Sequence, residues 1–199
     1  MGGSNMQGND FRVQDAEYRN GSIWMSQTIG CNPGGGTVNC VRWAEIDPTG
    51  PSVVQAGTIS SDNVYRQFSD LGVNDCNDVV MGYTISSATS FPSVTYSYRL
   101  GSTTAGTMAA EGGILRAGEL FTSFDSVPFR WGDYTGGTSD PDGSRLWYTG
   151  EYSRDQASAS RWATNTTEFM TTCAATGGDS IFSDGFESGD TTAWTASVQ

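Results

Sequence analysis

Histidine and lysine are absent from this 199-residue chain, and all ten of its basic side chains are arginine. Without histidine the commonest general base and the commonest zinc ligand are both missing. Ser-His-Asp and Cys-His catalysis are therefore excluded, and any chemistry must rest on carboxylates, tyrosine, serine or cysteine. Positive charge is scarce as well: ten bases face 22 acids, for a net charge of −12. Such a chain repels phosphate backbones, which argues against nucleic acid as a partner. Long apolar runs are also lacking, and none approaches the ~20 residues of a membrane-spanning helix. The opening "MGGSNMQGND" has neither the basic start nor the apolar core of an export leader. "NPGGGTVN" lacks the Gly-Lys-Ser/Thr ending of a phosphate loop and does not open a helix. No cofactor is expected.

What the chain does have is aromatic and β-branched residues, with Gly, Ser and Thr punctuating nearly every apolar run. That is the pattern of an all-β protein built from short strands and turns. The strands repeat. "VVQAGTI" from Val53 and "ILRAGEL" from Ile114 share an Ala-Gly frame 61 positions apart. Before each lies a matching series: "FRVQDAEYR", "SIWMSQTIG" and "VNCVRWAEIDP" in the first unit, "VYRQFSDLGV", "DVVMGYTIS" and "PSVTYSYRLG" in the second. A third unit runs through "FRWGDYTGGTS", "SRLWYTGEYS" and "SRWATNTTEFM". Asn20-Gly21 and Asp142-Gly143 are tight-turn signals between strands. Four strands per unit, recurring at roughly 50–65 residues, is the arrangement of β-propeller blades. Trp24, Met81 and Trp147 fall at nearly the same place in the three second strands, where large side chains would fill the space between blades.

The third unit stops before a fourth strand, and three blades cannot close a ring that needs at least four. The expected architecture is a partial β-propeller over residues 11–175, with about three four-stranded blades of which the last is incomplete. A linker and a flexible acidic tail follow over residues 176–199. The expectation is that the chain is the C-terminal part of a longer protein, whose missing N-terminal blades would be its partners.

The four cysteines are Cys31, Cys40, Cys76 and Cys173. A Gly- and Pro-rich loop separates Cys31 from Cys40, so a hairpin could bring them within bridging distance. A metal site is the other reading of so short a spacing, although no second pair or histidine supports it. A disulfide implies an oxidising compartment, and hence a secreted protein. Nothing in the sequence places Cys76 near Cys173, so free thiols are one reading of both and the sequence assigns neither a partner.

"RWGDYTGGTSDPDGSRLWYTGEY", preceded by "GYTISSATSFPSVTYSYRLG", resembles the last blades of sialidase-like β-propellers of the BNR type in secreted bacterial proteins. The end, "IFSDGFESGDTTAW", is similar to a C-terminal motif of exported bacterial proteins. "SDPDGSRLW" keeps the Ser, Asp, Gly and Trp of the aspartate box S-x-D-x-G-x-T-W, with altered spacing; that box is a structural turn. The resemblance implies fold and secretion more than activity. Sialidases hold a carboxylate with three arginines and attack through a tyrosine assisted by a glutamate, with an aspartate as acid/base. Arg130, Asp133, Glu151 and Tyr152 have those chemical types, and Arg66 and Arg99 could add cations. No spacing matches a complete set. The alternative for Arg130 and Asp133 is that they tie neighbouring blades together. A binding role suits the residues better: Trp131, Tyr134, Tyr148 and Tyr152 could offer flat surfaces to a carbohydrate or protein ligand. Calcium is conceivable at Asp140 and Asp142, or at Asp184 and Glu187, although neither cluster completes an EF-hand loop.

Overall fold

The computed structural model describes residues 6–8, 11–121, 128, 130–132, 135–156 and 159–174. Among them there is no helix, and eleven strands form three antiparallel sheets. The first sheet is a meander of β1 (Ala16–Arg19), β2 (Ser22–Cys31), β3 (Val38–Asp47) and β4 (Ser52–Ile59). The second repeats it with β5 (Val64–Val73), β6 (Val79–Ser87), β7 (Ser90–Arg99) and β8 (Ile114–Arg116). The third holds β9 (Gly136–Ser139), β10 (Arg145–Gln156) and β11 (Ala159–Met170), and no fourth strand among the described residues. The strands thus follow the repeat read from the sequence, and the two Ala-Gly frames mark the last strands of their sheets. Asn20 and Gly21 both take positive φ, 51° and 84°, as the two-residue turn between β1 and β2 requires. The tail 176–199 lies outside the described residues.

The sheets stack in chain order, so the second is covered on both faces. Toward the first sheet it contributes Leu71, Val73, Val79, Met81 and Tyr83, which join Trp24, Val41, Trp43 and Ile59 in one core. Toward the third, Val94 joins Tyr148 and Tyr152. The backbones approach closely there because Gly82 has no side chain: a Cβ on it would lie 2.2 Å from the Tyr148 ring. Phe68 ties all three sheets together. It sits with φ 55° in the β5 bulge between Gln67 and Asp70. Its N–H donates to Thr28 Oγ1 of the first sheet at 3.0 Å, and its carbonyl accepts from Tyr148 Oη of the third at 3.2 Å.

One alignment needs correction. Trp24, Met81 and Trp147 were expected to be equivalent. Instead Trp24 of the first sheet and Met81 of the second meet from opposite sides of one core. "SIWMSQTI" superposes on "DVVMGYTI", so Met25 is the counterpart of Met81 and Trp24 that of Val80. A shift of one residue on a strand exchanges faces. Trp147 is half-buried on the far side of the third sheet, where its Nε1–H donates to Asp140 Oδ2 at 3.1 Å.

The strand-joining turns are stitched together at one edge of the stack. Asn20 Nδ2 donates to the Asp75 carbonyl at 3.1 Å, Arg19 pairs with Asp75 at 3.0 Å, and the Asp75 amide donates to the Gly143 carbonyl at 2.8 Å. Two disulfides reinforce the fold. Cys31–Cys40 closes the β2–β3 loop as expected. Cys76 and Cys173 are not free: they join the β5–β6 turn to the chain just after β11, across 97 positions of sequence. The meander brings these ends together, which local spacing could not reveal. Two disulfides are consistent with an extracellular protein. No helix among the described residues is long and apolar enough to cross a membrane.

Candidate binding site

The third sheet leaves part of the second sheet's face open beside the end of β11. A groove of about 430 Å3 lies there, lined by Val80, Tyr96, Tyr98, Leu100, Phe169 and Met170 among others. The register pairs Val80 with Tyr98 and Gly82 with Tyr96, so both tyrosines project from β7 toward the third sheet. The Tyr96 ring stands 4.8 Å from that of Phe169 and 6.2 Å from that of Tyr98. Tyr98 is 42% exposed and Met170 81%. The sequence "TYSY" carried a signal for this: aromatic residues two apart on a strand share a face.

The polar groups of the groove are largely engaged within the fold. Asp78 accepts from Asn74 Nδ2 at 3.1 Å and from the Gly101 amide at 2.8 Å. Thr171 Oγ1 accepts from Asn74 Nδ2 at 3.0 Å, and Tyr96 Oη donates to the Gly112 carbonyl at 3.2 Å. The Cys76–Cys173 bridge anchors the same end of β11. What the groove presents is ring and aliphatic surface.

The residues singled out by sequence go elsewhere. Trp131 is buried, with its Nε1–H donating to Thr84 Oγ1 at 3.3 Å. Tyr148 is buried with its hydroxyl on Phe68, and desolvation pushes its pKa well above the phenol's ordinary value. Tyr152 is 7% exposed, and the Arg116 guanidinium lies over its ring at 4.8 Å. As placed, these three rings fill the interior and offer no flat surface to a ligand. Tyr134 and Asp133 lie outside the described residues. Arg130 is exposed, and Glu151 Oε2 accepts from the Gly132 amide at 2.8 Å.

Glu151 and Tyr152 are neighbours on β10, and successive strand residues point to opposite faces of the sheet. A glutamate and tyrosine so placed do not converge on one substrate. Arg66 and Arg99, the added cations, are buried and structurally engaged. Arg66 pairs with Glu111 and donates to Ser61 Oγ at 2.7 Å. Arg99 lies 5.6 and 5.8 Å from the ring centres of Trp24 and Trp43 and donates to the carbonyls of Thr107 and Thr103.

Among the described residues no group of three or more acidic or thiol side chains is placed to hold a metal ion. Asp142 accepts from the amide and hydroxyl of Ser144 at 2.9 and 2.8 Å, and these bonds hold its carboxyl below the usual pKa. With Asp140 bound to Trp147, the "SDPDGS" segment is a structural turn. Asp184 and Glu187 lie outside the described residues. No family model, curated protein or solved structure matches this chain.

Proposed function

We propose that this chain is part of an extracellular β-propeller of a secreted bacterial protein and works as a binding module, with no catalysis of its own. Three stacked antiparallel sheets of three or four strands support the propeller reading, as does the resemblance of the third unit to sialidase-like blades. The two disulfides support export. The observation that carries the binding role is the groove with its partly exposed Tyr98, Leu100 and Met170. Because Asp78, Tyr96, Arg99 and Thr171 are engaged within the fold, it suits an apolar side chain of a protein ligand better than a polyhydroxylated ring. The alternative, a sialidase-like glycoside hydrolase, loses support from the opposite orientations of Glu151 and Tyr152.

Selection of a displayed peptide library on the immobilised chain tests this reading. Peptides with an aromatic or aliphatic anchor are expected to enrich, and enrichment should vanish with Tyr98→Ser. Saturable binding on a glycan array, lost in the same variant, would replace the protein ligand with a carbohydrate. Release of the fluorophore from a fluorogenic sialoside, abolished by Arg130→Ala with folding intact, would overturn the binding role in favour of the enzyme.

A further inference from the structure

The two end faces of the stack differ in chemistry, and each matches a face that is already part of an interface. On the outer side of the first sheet, Tyr18, Ile23, Ile46 and Val53 form one row across all four strands by cross-strand register. Ala16, Met25, Ala44 and Ala56 form the next. Tyr18 is 67% exposed and Val53 64%. The equivalent positions of the second sheet, Val79 and Met81, are fully buried against the first. The far side of the third sheet is of the other kind. There Trp147 pairs with Glu168 and Thr149 with Thr166. Its counterpart is the face that the first sheet turns to the second, where Trp24 pairs with Glu45 and Ser26 with Trp43. One end of the molecule therefore carries the apolar half of the inter-sheet contact, and the other end carries the Trp/Glu/Thr half.

We propose that two copies of this chain associate head to tail, the first sheet of each packing on the third sheet of the other, and close a ring of six sheets. This rests on the propeller reading above. A contact between two different surfaces propagates until its rotation closes, and propeller rings typically contain four to eight sheets. With three sheets among the described residues of each chain, six is the multiple of three within that range. Each new interface repeats the arrangement that joins the first sheet to the second, and each covers apolar surface that is open in the single chain.

Sedimentation velocity on the full chain is expected to show a species of twice the 21.2 kDa chain mass. Met25→Arg at one end, or Thr166→Arg at the other, should each give monomers that keep the β-type circular dichroism. Val53→Glu, a change at an exposed edge position, guards against a folding failure of the Met25 variant. Mixing the Met25 and Thr166 variants should restore a dimer, because one intact pair of faces remains. A folded wild-type monomer at tens of micromolar would overturn the association while leaving the propeller reading in place, with the sheet of another polypeptide as the occupant. Loss of the dimer in Met25→Arg but not in Thr166→Arg would mean that like faces pair, and filaments would mean that the ring does not close; either result overturns the proposal. A dimer whose X-ray scattering envelope lacks a central hollow would count against the propeller itself.

Discussion

Asp70 sits where β5 leaves its bulge, buried, accepting from the Leu71 amide at 2.8 Å and the Gly137 amide at 3.0 Å. Burial outweighs these two bonds, and the charges of Asp15 and Glu17 act in the same direction, so its pKa is pushed up to about 6. Between its ordinary value and about 6, the folded chain holds a proton that the unfolded chain releases. The stability from this group is whole below about pH 4 and is lost as pH rises through 6. Two pKa units correspond to about 3 kcal/mol. Asp70→Asn, which keeps an acceptor and removes the charge, is expected to gain on the wild type as pH goes from 4 to 7. Urea midpoints for both proteins at the two pH values check this; a difference that shrinks with pH would refute it. At this scale the sequence misleads most. Tyr148 and Tyr152 look like exposed platforms in "LWYTGEY" because their covering neighbours, Phe68 and Arg116, come from distant strands.

Strands and their order were largely legible, because turns and alternation are local. Asn20-Gly21 fixed one hairpin, and "VYRQFSDLGV" coincides with β5. The register between repeats was less so. "IWM" and "VVM" offer two superpositions one residue apart, and only the packing of Met81 against the first sheet selects between them. The Cys76–Cys173 bond was illegible for a related reason: its ends meet only after two sheets have formed. That separation also sets its worth. A bond closing about 100 residues restricts the unfolded chain by roughly 4.7 kcal/mol, and a 15-residue loop gives about 3. Replacing Cys76 and Cys173 with serine is therefore expected to lower the urea midpoint more than replacing Cys31 and Cys40. Equal losses would mean that the long bridge constrains little.

Among the described residues, the middle sheet is buried from both sides while its neighbours each keep one outer face. Local opening is cheapest where the fewest apolar contacts must break. Amides of β6 are accordingly expected to exchange most slowly with deuterium, and those of β11, at the open edge of the third sheet, markedly faster. Comparable protection of β6 and β11 would contradict the stacking order. The groove beside Tyr98 belongs to this scale too. It lies beside the end of β11, which is the edge strand of its sheet among the described residues, and its lining comes from β6, β7 and β11, so no single stretch of sequence announces it. The same architecture has a mechanical consequence. Tension applied between residues before Cys76 and after Cys173 passes through their sulfur–sulfur bond. The strands from β6 to β11 lie inside that covalent loop and carry none of the load. Under flow or pulling, the first sheet and β5 would peel away while the groove keeps its shape.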